Sequence, residues 1–403
     1  MSSRTRKQIE YPKREARDPR SLQARTVLKY LSYMKFWLAT AVLSAFPLAV
    51  SAQTWSWSFQ DLDLLGGSGT SIVADQDGNL HLSYYLESGG QLKYGFLPAG
   101  GSKWYTMTLE SNWGEMETGI DVDKAGNPAI CYTPRTLRYI RWDGHAWASQ
   151  EVDHGSGLIQ YICSIRFDPR GRPMLSWYLV TKHLRYAILS DGAWRAVSVD
   201  QEHSEPGKWN SIALDSKGFP HIAFSDFPAG RLMYGWFDGE KWSAVTVDTP
   251  YSSDRTGGER GMGASLILDS QGNPIIGYYD LQSLKVARLL DGKWKKEVVQ
   301  ELPPFGKWGW QSFRSSMALD KHGFLHIGFE SLLGLEHAWW DGKTWHTQLI
   351  VSAAGEPKFE NSMAIGPDDT VYMPFLDPSD RILRLAVGHK VSDSPAVGKD
   401  KGK

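Results

Sequence analysis

Asn210-Ser-Ile-Ala-Leu-Asp-Ser-Lys-Gly-Phe-Pro-His-Ile-Ala-Phe-Ser-Asp226 returns further along the chain as Ala264-Ser-Leu-Ile-Leu-Asp-Ser-Gln-Gly-Asn-Pro-Ile-Ile-Gly-Tyr-Tyr-Asp280. Each copy runs on into an apolar or aromatic segment, an Asp-Gly pair, and a Trp that opens one more alternating segment. The unit reads as four short strands. Its first turn recurs at Asp75/Gly78, Asp123/Gly126, Asp168/Gly171, Asp215/Gly218, Asp269/Gly272 and Asp320/Gly323, with a degenerate copy at Gly366-Pro-Asp-Asp-Thr370. The Asp side chain bonds backbone N–H groups just ahead of it and Gly takes the left-handed position, so a tight hairpin follows.

The tryptophans that open the fourth strands are Trp104, Trp147, Trp194, Trp242, Trp294 and Trp345. Their spacings of 43, 47, 48, 52 and 51 residues suit a four-stranded propeller blade with its loops. The seventh unit ends at Arg381-Ile-Leu-Arg-Leu-Ala-Val387 without a fourth strand. Trp57-Ser-Phe-Gln-Asp-Leu-Asp63 supplies one, because it matches Trp242-Ser-Ala-Val-Thr-Val-Asp248 in form. An all-β, seven-bladed β-propeller with four-stranded antiparallel blades follows, its N-terminal strand closing the last blade and leaving no open edge.

Composition agrees. The chain has 403 residues, 41% hydrophobic and 22% charged, with 18 Trp, 17 Tyr and 40 Gly. Aromatics suit pleated surfaces and glycines suit tight turns. The first 35 residues hold ten Lys/Arg against three acids, leaving 34 basic and 42 acidic residues in the body, a net of −8. Nucleic-acid binding needs a basic face, and this balance gives none.

Residues 1–33 read as a basic upstream extension and 34–52 as a signal peptide, with Lys35, an apolar stretch from Phe36 to Val50, and Val50-Ser51-Ala52 as cleavage site. That stretch, interrupted by Pro47, falls short of the roughly 20 residues a membrane span needs. The expectation is a secreted or periplasmic monomer without stable membrane insertion, a propeller over 53–388, and a polar disordered tail over 389–403. Cys131 and Cys163 are the two cysteines, and export permits a disulfide without deciding it.

Over roughly residues 54–388 the pattern resembles secreted bacterial propellers with sialidase-like repeats. The aspartate box Ser-x-Asp-x-Gly-x-x-Trp is absent here, where Asp-Gly is followed closely by Trp. The resemblance implies architecture rather than activity.

Turns after strands one and three share one face of the disc and are short. The connections after strands two and four share the other face and are long, so function is expected there. They carry Trp113, Glu115, Lys208, Trp209, Asn210, Asp226, Asp280, Lys307, Trp308, Trp310 and Gln311, which are expected to bind ligand. Apolar ring faces beside amides, ammonium groups and carboxylates suit an extracellular glycan, since sugar C–H faces stack while hydroxyls seek polar partners. A protein partner is the alternative ligand. An enzymatic alternative uses His154, Tyr161, His203, Arg255, Arg260 and Arg314 as proton movers and charge neutralisers, the equipment of a polysaccharide lyase. Paired carboxylates such as Asp226 and Asp280 would instead serve a glycosidase. No zinc-type His/Cys spacing and no Asp-x-Asp-x-Asp-Gly loop occurs, so no metal or cofactor is expected. His81, His221 and His326 recur at one repeat position and read as turn partners rather than site residues.

Overall fold

The computed structural model describes residues 54–391 apart from 87, 112–116, 135, 154–162, 180–182, 201–205, 227–228, 250–262, 281, 303–313 and 354–361, and the side chains of 183, 206 and 208. The described residues fall in the second of two units, Gln53–Lys403; residues 1–52 and most of the expected tail lie outside them. They form seven four-stranded antiparallel sheets, a seven-bladed β-propeller. In six blades the strands follow chain order from the axis outward. In the seventh, Trp55–Asp63 takes the outermost place against Leu383–Lys390. Two boundaries differ from the sequence reading. The closing strand begins at Trp55 rather than Trp57, and the last strand continues through His389 and Lys390, which pair with Ser56 and Trp55.

The innermost strands ring the axis: Ser68–Ala74, Thr118–Val122, Ser164–Phe167, Pro206–Leu214, Ser265–Leu268, Ser315–Leu319 and Ala364–Ile365, in blades one to seven. The core is divided into seven apolar clusters. Six are joined by one fourth-strand tryptophan each, Trp104, Trp147, Trp194, Trp242, Trp294 and Trp345, and the seventh by Trp55 and Trp57 of the closing strand. That is why Trp recurs at the blade interval. A large ring at this position buries apolar surface that a two-faced sheet cannot cover alone.

The serine that opens the repeat has a structural use. Its hydroxyl accepts the N–H of the next blade's innermost strand: Ser71 from Ile120, Ser164 from Ile212, Ser211 from Leu266, Ser265 from Met317 and Ser316 from Met363, at 3.0–3.2 Å. Blade two has Gly119 there instead. Its seam to blade three holds the Cys131–Cys163 disulfide, which settles the pairing that the cysteine count left open. The same cross-blade position holds Ser83 with Thr118 at 2.8 Å and Ser176 with Asn210 at 2.6 Å in the flanking seams. Gly119 is required by this arrangement, because a Cβ there would meet the Cys163 carbonyl oxygen at 2.7 Å and the Cys131 sulfur at 3.1 Å.

Candidate functional site

The innermost strands enclose a cavity of about 350 Å³ on the axis. That volume sits at the small end of ligand pockets, which span roughly 300–1,000 Å³. At the hairpin end each turn aspartate serves its own loop. Asp168 is representative: its Oδ1 accepts the N–H groups of Arg170 and Arg172 at 2.9 and 2.8 Å, while Oδ2 takes the Arg172 guanidinium. His81 and His326 each set one ring nitrogen toward their own turn aspartate, Asp75 and Asp320, as does His221 toward Asp215. The other nitrogens of His81 and His221 meet Tyr94 and Tyr234. These are repeat contacts.

The opposite end is irregular. The residue two places before the repeat serine stands within or just ahead of its innermost strand, and the described residues at this position are Gly69, Glu117, Trp209, Gly263 and Arg314. Gly69 and Gly263 have φ of 57° and 46°, in the left-handed region. Trp209 adopts φ 54° at the same position. In blades one and four the pairing register slips there by one residue: Ser68 and Ser71 face Tyr85 and Ser83, as Lys208 and Ser211 face Ser225 and Ala223. This is a bulge that normally takes glycine. A bulky side chain held at positive φ costs about 1–3 kcal/mol, and such strain concentrates at functional positions.

Trp209 lines the cavity but is only 6% exposed, so it forms a wall rather than an open stacking platform. Arg314, in blade six, also lines the cavity. Its guanidinium grips the carboxylate of Glu117, from blade two, with both oxygens engaged and Nη1 donating to Oε2 at 2.6 Å. Blades two and six stand nearly opposite in a ring of seven, so the pair reaches across the axis at this end. The Arg314 carbonyl lies 3.0 Å from the hydroxyl of Tyr279, itself buried and also against the Glu330 backbone. Burial pushes that phenol well above its ordinary value, so it stays a neutral anchor for the arginine's backbone. Deeper in, two places after the repeat serine, Asp121 and Arg166 are the charged members of an otherwise apolar set with Val73, Ala213, Ile267, Ala318 and Ala364, and both line the cavity. Burial raises the Asp121 carboxyl, only partly offset by Arg166 and by the Phe167 N–H it accepts at 2.9 Å.

The remaining site expectations distribute as follows. Asn210 belongs to the seam, accepting from Ser176 and donating to the Gly207 carbonyl at 3.2 Å. Asp226 is fully buried against Arg231, at 2.8 Å. Asp280 caps the turn at Gln282 and Ser283 and pairs with Lys285; burial raises its carboxyl, but these partners outweigh it and hold the group low. Neither aspartate lines the cavity. Lys208 lies within the innermost strand of blade four, with its side chain outside the described residues. Trp113, Glu115, His154, Tyr161, His203, Arg255, Arg260, Lys307, Trp308, Trp310 and Gln311 also lie outside them. Of the six proposed catalytic residues, Arg314 alone is described. Glu117, two residues beyond the expected Glu115, is a residue that type alone does not single out. The signal that finds it is register, because it stands as far before Gly119 as Trp209 and Arg314 stand before Ser211 and Ser316.

Among the described residues no group of three or more His, Cys, Asp or Glu is placed to hold a metal ion. No family model matches the chain, and no curated protein does. Solved structures match the fold. Virginiamycin B lyase from Staphylococcus aureus superposes with TM-score 0.58 at 10% identity, covering 84% of this chain and 100% of that one. A copper-bound fungal alcohol oxidase of the AA5 family gives 0.52 at 10% identity, covering 84% and 76%. AofleA from Arthrobotrys oligospora gives 0.51 at 11% identity, covering 76% and 91%. At such identities the likeness establishes that this chain is a β-propeller, and it leaves the chemistry to the residues at the mouth of the channel.

Proposed function

We propose that the protein is an exported glycan-binding propeller, whose ligand enters the channel mouth on the face of the long connections. The observation behind this reading is Trp209, a buried aromatic held at positive φ where two other blades use glycine. Nothing in the repeat requires that strain, and it places Trp209 on the wall of the cavity that Arg314 also lines. An apolar wall with a few converging polar groups is the usual make-up of a sugar site. Export is supported by the apolar leader ending in Val50-Ser51-Ala52 and by the Cys131–Cys163 disulfide, a bond that persists in oxidising compartments.

The test is a glycan array followed by calorimetric titration of the purified protein. Trp209→Gly, which keeps the bulge and removes the wall, is expected to weaken binding roughly tenfold or more. Silence of the wild-type protein across neutral and acidic polysaccharides would sink the reading.

A lyase is the second reading, favoured by one observation: Arg314 already holds a carboxylate in bidentate geometry, as charge neutralisation of a uronate requires. Virginiamycin B lyase shows that a lyase can be built on this architecture. Appearance of ultraviolet-absorbing unsaturated products from uronic-acid polymers would promote it over simple binding.

A further inference from the structure

We infer that Arg314 is the receptor for the carboxylate of a uronate-bearing glycan, and that Glu117 is its internal competitor, holding the guanidinium until the ligand displaces it. This rests on the glycan-binding reading and names the ligand class within it. Three observations point the same way.

The first is where the pair lies. The seams between neighbouring blades already have their own fasteners, the serine hydroxyls and the disulfide. Glu117 and Arg314 are 197 residues apart in sequence and belong to blades that do not touch. Their contact fastens no seam. It reaches across the axis beside the cavity that Arg314 lines.

The second is geometry. Two parallel N–H···O bonds between a guanidinium and a carboxylate are the arrangement by which arginine recognises a free carboxylate ligand. Glu117 therefore displays what the site accepts. The side chains are 14% and 25% exposed, sheltered enough to make the bonds strong and open enough to exchange. Tyr279 fixes the arginine's backbone, whereas the described contacts of the Glu117 side chain are those to Arg314 alone. The arginine is anchored through its backbone, and the glutamate side chain can leave without breaking another described contact.

The third is the balance of the exchange. A neutral sugar would have to break a sheltered bidentate ion pair without replacing either charge, which is unfavourable. A uronate replaces one carboxylate by another. The arginine stays paired throughout, and the released Glu117 turns toward solvent. Glu117 thus rejects neutral sugars while merely competing with acidic ones. The sugar ring then lies in the cavity lined by Trp209 and Gly263.

The experiment titrates tri-galacturonate, galactotriose and acetate into the full-length protein and its variants by calorimetry, with thermal melts alongside. Glu117→Gln removes the competing charge, so affinity for tri-galacturonate should rise roughly tenfold. Glu117→Asp, which keeps the charge but shortens the reach, should give a smaller gain and guards against a Gln variant that folds poorly. Arg314→Lys keeps the charge and loses the fork, so affinity should fall roughly ten- to a hundredfold with little change in melting. Acetate at matched concentration should not compete, which separates a uronate site from a general carboxylate site. If Glu117→Gln leaves tri-galacturonate affinity unchanged or lowers it, Glu117 is a strut and the proposal falls. If galactotriose binds as well as tri-galacturonate and neither variant alters this, glycan binding stands and the uronate assignment falls. If no sugar binds wild type or variants, both are overturned together.

Discussion

The two ends of the channel are formed by the same seven strands and differ in kind. At the hairpin end the repeat is obeyed: an aspartate, two backbone N–H groups and a left-handed glycine recur from blade to blade. At the other end the equivalent tier reads Gly69, Glu117, Trp209, Gly263 and Arg314, with no two charged or aromatic members alike. A repeat protein uses its repeated residues to hold neighbours together, and each blade must meet the same demand. Departures from the repeat at a position where the backbone still follows it are free of that demand. Changes at the hairpin end should therefore alter stability and leave binding alone, whereas changes at the mouth should alter binding.

The largest effect lies between the ends, at the seam where the serine fastener is missing. Replacing Cys131 and Cys163 together by serine opens a link across 32 residues and should lower the unfolding free energy by about 3–4 kcal/mol. Denaturant melts of wild type with and without reductant measure this directly. An unchanged midpoint would mean that packing alone holds blades two and three. Next comes Asp168→Ala at the hairpin end, which strips a 4%-exposed carboxylate from two backbone N–H groups and Arg172. A loss of about 2 kcal/mol is expected, with ligand affinity unmoved. A change in affinity would erase the distinction between the ends.

How much of this the sequence disclosed follows from the range of each contact. The turns were legible because Asp168 and Gly171 act within five residues of each other. The ring closure was legible because Trp57–Asp63 copies the form of Trp242–Asp248, even though the pairing strand, Leu383–Lys390, lies at the far end of the chain. The disulfide was not legible, since it depends on Gly119 letting two blades approach. The candidate site was half legible. Trp209 and Arg314 stand out by type, but only a shared tier reveals that Glu117 faces Arg314 across the axis, and the bulges at Gly69 and Trp209 shift the register on which that tier depends. Asp226 and Asp280 looked like site residues for the opposite reason: acids at strand ends are conspicuous, yet here they serve Arg231 and a turn.

Acidification tests the hairpin end with a smaller change. His326 Nδ1 meets His337 Nε2 at 2.9 Å, and both rings lie edge-on against Trp55 of the closing strand. Burial lowers both imidazoles, His337 well below the ordinary 6.5, and Asp320 only partly offsets this at His326. Rings kept neutral in the fold become protonated on unfolding, so stability is complete above about pH 6.5 and declines as pH falls below it. The loss should be visible between pH 6.5 and 5. His337 occupies the place of Tyr94 and Tyr234, which meet His81 and His221 without a second imidazole. His337→Tyr should therefore flatten the slope of melting temperature against pH between 7 and 5. An undiminished slope would assign the acid sensitivity elsewhere.

The smallest effect isolates the strain at the mouth. Trp209→Gly and Trp209→Ala remove the same indole and leave the same cavity, so their difference reports the backbone alone. At an ordinary strand position alanine is the more stable of the two, because glycine loses more freedom on folding. At φ 54° the order should reverse, with the glycine variant more stable by about 1 kcal/mol, while both lose ligand affinity alike. Gly69→Ala, at φ 57° in blade one, should cost about the same 1 kcal/mol and so calibrate the position without any aromatic ring involved. Chemical denaturation of the three variants resolves differences of this size. If Trp209→Ala proves as stable as Trp209→Gly, the tryptophan is held without strain, and its place at the channel mouth no longer needs a functional reason.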